Sequence, residues 1–155
     1  MSNENIQAFR ETHEKLVHAI QGLSEEELVW KQAPEKWSVT EVLSHLADHS
    51  IVISFRIRDI LADTTSSLPA FGQDAWVKGQ HANLGNAADI LAFFHAILQY
   101  NALLLDRLTE EEWGKSALNF KGDQVRILDI VRGFAAHVEN HLGQISRIRH
   151  AQVAS

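Results

Sequence analysis

The sequence predicts an all-α fold, a four-helix bundle with a long connection between helices 2 and 3. Three observations predict it. Apolar residues recur at three- and four-residue steps in four long segments. No segment alternates apolar and polar positions as a half-buried strand would, and no repeat recurs at a fixed period. Two Ser-x-x-Glu capping boxes open helical segments in register with the apolar stripes. The chain has 155 residues, 45% of them apolar and only two prolines, which suits one bundle domain over residues 1–155.

The first segment carries Ile6, Phe9, Leu16, Val17 and Ile20 and reads as an amphipathic helix ending near Gly22. Ser24-Glu25-Glu26-Glu27 then caps a short helix bearing Leu28 and Trp30 that stops before Pro34. Ser38-Val39-Thr40-Glu41 opens a long second helix with the stripe Val39, Val42, Leu46, Ile53, Ile57 and Ile60, ending near Asp63. Residues 64 to 85 hold Pro69, Gly72, Gly79 and Gly85 and form a long connection with a helical turn around Asp74-Ala75-Trp76. Asn86 is the expected N-cap of a third helix carrying Ile90, Phe94, Ile97, Leu104 and Leu108. A short turn follows at Thr109 to Gly114. Asp123 is expected to start the last helix, with Ile127, Ile130, Phe134, Val138, Ile145 and Ile148 on one face. The bundle is expected to be antiparallel, although the 22-residue connection also allows helices 2 and 3 to run parallel.

Composition excludes several classes of function. A formal charge of -6 supplies no basic field for phosphate backbones, so nucleic acid is not the expected partner. Lys121, Arg126, Arg132, Arg147 and Arg149 gather late in the chain and read as the solvated side of a helix. Cysteine is absent, which excludes disulfides, thiolate ligands and a protein-borne thiol nucleophile; any thiol must come from outside. The N-terminal residues lack a secretory pattern and no apolar run approaches the ~18 residues of a membrane span, so no membrane is expected and a cytoplasmic location is.

Nine histidines stand out. His137 and His141 lie four residues apart, roughly 40° around a helix, so both rings can reach one ion. They sit on the shoulder of the last stripe rather than opposite it. Val138 follows the first histidine where a zincin requires glutamate, so the metalloprotease pattern is absent. The pair alone is open to two readings, metal ligands or partly buried structural histidines. His45 and His49 form a second such pair on helix 2. By helical angle His49 is nearer the middle of the apolar face, which favours it slightly as a third ligand. Asp48 turns further away and reads as a solvated carboxylate or a surface partner for an arginine.

Three blocks resemble the DinB/YfiT-like metalloenzymes, a family that includes thiol-dependent S-transferases and mycothiol-dependent isomerase domains. They are Trp37-Ser38-Val39-Thr40-Glu41-Val42-Leu43-Ser44-His45-Leu46-Ala47-Asp48, Pro69-Ala70-Phe71-Gly72-Gln73-Asp74-Ala75-Trp76, and His137-Val138-Glu139-Asn140-His141-Leu142-Gly143-Gln144-Ile145. Their order and spacing match the family over nearly the whole chain. The resemblance implies a metal triad of His45, His137 and His141, which displaces His49 to a supporting, substrate-side or structural role. It also implies dimers.

Three neutral imidazoles leave coordination positions open, as catalytic sites do. Zinc is the expected divalent ion, with nickel, manganese or iron also compatible with histidine nitrogen. The expected function is a metal-dependent enzyme that transfers a low-molecular-weight thiol to a small electrophile, or hydrolyses a small molecule; the alternative is a non-catalytic metal-binding or stress-related protein. No residue is assigned as the general base.

Asn101, at the centre of the third stripe, either faces the site or bonds a neighbouring helix. Arg56 shares the flank of His49 and either binds an anionic substrate group or is a surface arginine with a buried stem. Trp30, Trp37, Phe71 and Trp76 read as anchors, the last two also as possible walls of a substrate pocket. His13 reads as a satisfied core histidine, and His18, His81, His95 and His150 as surface or loop residues.

Overall fold

The computed structural model describes residues 2–64 and 67–154, so Thr65 and Ser66 of the long connection lie outside the described residues. Its helices are α1 (Ser2–Arg10), α2 (Thr12–Ala19), α3 (Glu25–Val29), α4 (Val39–Ala62), α5 (Gln73–Gly79), α6 (Ala87–Asp106), α7 (Glu110–Trp113) and α8 (Ile127–Ala154). The expected first helix is α1 and α2 together. Its hydrogen bonds continue across the junction, from Glu11 N–H to Gln7 O at 3.0 Å and from Lys15 N–H to Glu11 O at 3.2 Å. The break coincides with the Thr12 hydroxyl, which donates to the Phe9 carbonyl at 2.8 Å, a local bond of the kind that bends helices. Past Ala19 the chain turns through Gly22, whose φ of +84° lies in the region glycine tolerates best.

Ser24, Ser38 and Thr109 each form complete capping boxes, and the Asn86 side chain accepts from Asp89 N–H. The α4 helix ends where Asp63 adopts the left-handed conformation. The start of α8 corrects the expected boundary, and a short β-hairpin stands where no strand was expected. Ser116–Leu118 (β1) pairs antiparallel with Gln124–Arg126 (β2), so Asp123 belongs to the hairpin turn and not to a helix start. Asn119 holds that turn, its Oδ1 accepting from the N–H groups of Lys121 and Asp123 at 2.9 Å each, and Gly122 supplies the positive φ of 85°. Asp129 then accepts from Arg126 N–H at 3.0 Å, and the helix begins at Ile127. Three-residue strands carry too few positions for alternation to be legible.

Contacts between the long helices define their directions. Ser38 bonds Asn83, just before α6, whereas Lys115, which follows α6 and the short α7, donates to the Leu61 carbonyl at the other end of α4. These two helices therefore run parallel, as the long connection permits and unlike the expected antiparallel arrangement. Ile127 N–H donates to Lys115 O while Trp37 stacks near His141, so α8 opposes α4. Asn5 with Arg132, Lys15 with Glu139 and Ala19 with Arg149 align α1–α2 parallel to α8. The four directions in chain order are up, down, down, up.

Phe9, Phe94 and Phe134 meet at the centre, with ring centroids 4.8 Å apart for Phe9 and Phe134 and 6.0 Å for Phe94 and Phe134. Leu16, Leu46, Ile53, Val138 and Ile145 extend this core along the bundle. Burying each such side chain stabilises the fold by about 1.5–3 kcal/mol.

By length and composition, the 20-residue α6 is apolar enough to cross a membrane, with mean hydropathy 1.4 over its most apolar window. Here it packs on α4 and on α1–α2 and buries Asn101. Its high hydropathy arises because its outward face is apolar too, with Phe93, Tyr100 and Leu103 all exposed.

Ser38 links the start of α4 to the end of the long connection, accepting from Glu41 N–H at 3.1 Å and donating to Asn83 Oδ1. Ser38→Ala should destabilise the protein by about 1–2 kcal/mol, since both a cap and a buried hydroxyl bond are lost. Urea denaturation followed by circular dichroism measures this.

Candidate metal centre

The α4 and α8 helices face each other with opposite directions, which brings His45 from one against His137 and His141 from the other. His137 Nε2 lies 3.2 Å from His45 Nε2 and 3.1 Å from His141 Nε2. His45 is fully buried and the other two rings are half-buried. Gln144 orients the site: its Oε1 lies 2.7 Å from His141 Nδ1, so that nitrogen carries the proton and Nε2 turns its lone pair inward. Sequence reasoning missed this residue as a site member, although the three-residue spacing from His141 on one helix face is its signal.

A proton shared among the three Nε2 atoms can be given to only one acceptor at a time with good geometry, so the cluster is poorly satisfied by hydrogen bonding alone. The donor set fits a cation better. Tetrahedral coordination with bonds of 2.0–2.1 Å puts neighbouring nitrogens ~3.3 Å apart, close to the spacings seen here. Nδ1 of His45 and of His137 are buried with no hydrogen-bond partner in the protein.

The site is walled by aromatics. The Trp37 ring centroid is 5.1 Å from His45, and Phe71, from the long connection, lies nearly parallel to His45 at 5.8 Å and to His49 at 6.2 Å. Trp76 on α5 packs edge-on against Phe71 at 4.9 Å. Asp48 corrects the expectation of a solvated carboxylate: it is buried, and accepts from Gln80 Nε2, just past α5. Burial raises its pKa from the ordinary carboxylate value, a rise that the Gln80 bond opposes. Asp48 thus ties the wall segment to α4.

His49 does not join the converging nitrogens. Its ring sits 4.3 Å from His137, parallel to Phe134 at 5.7 Å, with Nδ1 buried and unpartnered. Asn101 is away from the site; its Oδ1 accepts from Ser54 at 3.1 Å and from Arg58 at 2.8 Å, so the neighbouring-helix reading holds. Arg56 is half-buried and donates to the Pro69 carbonyl at 3.0 Å. His13 is half-buried against His95, with ring centroids 4.2 Å apart, while His18, His81, His95 and His150 are exposed. The late basic residues do not form one face: Arg126 pairs with Asp129, and Arg149 donates to the carbonyls of Ala19 and Gln21.

A cleft of about 510 Å³ opens beside His141, lined by Lys36, Trp37, Asp74, Gln144 and Arg147 among others. Small molecules therefore have access to His141, the one histidine of the cluster that lines this cleft.

The DinB superfamily family model matches residues 8–145, and the chain belongs to that superfamily. It is 27% identical over 131 residues to a protein of Oceanobacillus iheyensis that carries the provisional name metal-dependent hydrolase, covering 84% of this chain and 75% of the relative. YfiT of Bacillus subtilis, provisionally named in the same way, is 21% identical with 92% and 81% covered. The solved structure of YfiT, described as a probable metal-dependent hydrolase with an unusual four-helix bundle topology, superposes with a TM-score of 0.87 at 18% identity, over 97% of this chain and 87% of that one. A mycothiol-dependent maleylpyruvate isomerase gives a TM-score of 0.74 at 10% identity, and the match spans 94% of this chain but 60% of the isomerase. At these identities the two structures establish the fold. The three-histidine cluster and the metal-dependent relatives together support a divalent metal.

Burial, followed by the neighbouring imidazoles, lowers the pKa of His45 to about 3 and of His137 to about 4. Burial likewise lowers His49 to about 3. The unfolded chain takes up these protons near pH 6.5, the folded chain only near 3–4, so the unfolded state binds more protons between those values. Stability of the metal-stripped protein should therefore be fully present above pH 6.5 and decline on acidification toward pH 4, by on the order of 1 kcal/mol per pH unit for each ring. Chemical denaturation at a series of pH values in the presence of chelator checks this, and a flat profile between pH 7 and 5 contradicts it.

Proposed function

We propose that this chain is a metal-dependent enzyme in which His45, His137 and His141 hold one divalent ion and a small external nucleophile is activated for attack on a small molecule. The observation that carries this reading is the convergence of three neutral Nε2 atoms on one point. Zinc is the first candidate, and nickel, manganese or iron would accept the same donors. An ion so held supplies a bound water with a pKa lowered toward ~7, or keeps a thiol as thiolate. The remaining work belongs to the protein. Gln144 sets the tautomer of His141, the Trp37 and Phe71 rings keep bulk water from the buried side, and the cleft beside His141 admits the reactants.

Thiol transfer is favoured by the size and polarity of that cleft, which exceeds what a water molecule needs and offers charged groups to a polar co-substrate. With no cysteine in the chain, the thiol is external. Hydrolysis is supported by the names of the relatives. Thiols with electrophiles, and esters or amides with water, assayed with metal-loaded and metal-stripped protein, distinguish the two. Turnover of neither class by protein shown to hold metal would favour the non-catalytic alternative.

About one ion per chain is expected by elemental analysis, and metal affinity should fall at least ~10-fold in His45→Ala, His137→Ala and His141→Ala. His49→Ala should keep the metal. Competition with a calibrated chelator measures this, and strong loss in His49→Ala with little in His45→Ala overturns the ligand set.

We further propose that α6 pairs with α6 of a second copy. Asp89, Phe93, Ala96, Tyr100, Leu103 and Arg107 are all exposed and recur at steps of four, three, four, three and four, the spacing of a coiled-coil seam. The stripe is self-complementary about residue 98. In an antiparallel pair Asp89 meets Arg107, Phe93 meets Leu103 and Ala96 meets Tyr100, so opposite charges and large and small side chains match twice over. Reversing one charge with Asp89→Arg should weaken the dimer about tenfold, and adding Arg107→Asp should restore it. Light scattering across a dilution series reads both; a monomeric wild-type protein overturns the proposal.

A further inference from the structure

Phe71 has a second side. Beyond it lies an apolar cavity of about 250 Å³, walled by Ile51, Val52, Phe55, Phe71 and Trp76, in which Arg56 is the one charged lining residue. The guanidinium is only partly used by the fold. One Nη donates to the Pro69 carbonyl, Nε is buried with no hydrogen-bond partner, and no carboxylate pairs with it among the described residues. Burial pushes its pKa down from the usual arginine value, the sign of a cation whose lost hydration is not replaced. Such a group costs free energy unless something else compensates it. Other arginines show the contrast: Arg10 pairs with Asp106, Arg126 with Asp129, and Arg58 bonds Ser54 and Asn101 while stacking over Tyr100.

Arg56 is also close to the histidines. Its charge contributes, after burial and the neighbouring imidazoles, to the lowered pKa of His49. The Phe71 ring that forms part of the cavity wall is the ring that lies against His45 and His49. We infer that this cavity binds the carboxylate of a small carboxylic acid on Arg56, with its short apolar or aromatic body lying against Phe71 and Trp76.

Three features select this class. A guanidinium fork matches a planar carboxylate through parallel N–H donors. A single cation in an apolar pocket neutralises a monoanion, whereas a phosphate dianion would keep an unpaired charge. The aliphatic and aromatic walls suit an apolar body and offer it no polar partner besides Arg56. The anion pocket is testable without turnover.

The probes are 3-phenylpropionate, its neutral amide 3-phenylpropanamide, and phenyl phosphate, titrated calorimetrically into zinc-loaded protein, with the fluorescence of Trp76 in the cavity wall as a second signal. The acid should bind wild-type protein at least ~10-fold more tightly than the amide, as expected for a charge-assisted pair. Arg56→Met should remove that advantage and leave amide binding within about twofold; if Arg56→Met does not fold by circular dichroism, Arg56→Gln carries the same comparison. His141→Ala, which weakens the proposed metal site, should still bind the acid. Equal binding of acid and amide, no binding of the acid at millimolar concentration, unchanged acid affinity in the Arg56 variant, or tighter binding of phenyl phosphate each overturns the inference. Loss of acid binding in His141→Ala instead of the Arg56 variant puts the carboxylate on the metal and also overturns it. Failure of the metal reading is separate: it appears as unchanged zinc affinity in His141→Ala.

Discussion

The convergence of three uncharged imidazoles between two opposed helices is the constraint on which the rest of the structure depends. Charged imidazoles could not share so small a volume, because desolvation and mutual repulsion both act against the protonated form. The α4 and α8 helices must therefore lie close enough for the Nε2 atoms to meet, and that separation is set by the aliphatic and aromatic residues above and below them. Leu46 and Ile53 on α4 and Phe134, Val138 and Ile145 on α8 are all buried and hold the interface. The site is built into the core seam of the bundle rather than onto its surface, where loops would fix it less rigidly.

The up, down, down, up order of helices follows from the same need. Because α4 and α6 run parallel, the chain must travel the length of the bundle between them, and the described part of the long connection, residues 67 to 85, carries Phe71 across the histidines. The connection is thus also a wall, carrying Phe71 and Trp76 against the site and held by Gln80 on Asp48, Asn83 on Ser38, and the Leu68 N–H bond to Leu118 O at 2.7 Å. Long loops in compact domains often carry function, and here the topology makes one unavoidable. The small hairpin that anchors its beginning lies at the opposite end of the bundle from α3 and the Trp37 loop.

Polarity is distributed asymmetrically around the centre. On the His141 side the cleft is charged and open, while on the Phe71 side the cavity is smaller, apolar and carries a single cation.

Much of this was legible in the sequence because periodicity and capping are local. The stripes and the capping boxes at Ser24 and Ser38 determine the helices, and the four-residue spacings of His45 with His49 and of His137 with His141 place each pair on one helix face. What periodicity could not choose is which member of the α4 pair turns toward α8, since roughly 40° of helix phase separates them and the crossing of two helices decides it. The side-chain partners of Asn101, Asp48 and Arg56 also come from other elements, and no spacing along the chain encodes them. The hairpin escaped notice for a related reason: strands of three residues are stabilised by pairing and by the turn at Asn119, not by any pattern within themselves. Sequence by itself determined which residues share a helix face; only tertiary packing decided which faces meet, because that depends on the summed fit of side chains from segments far apart in the chain.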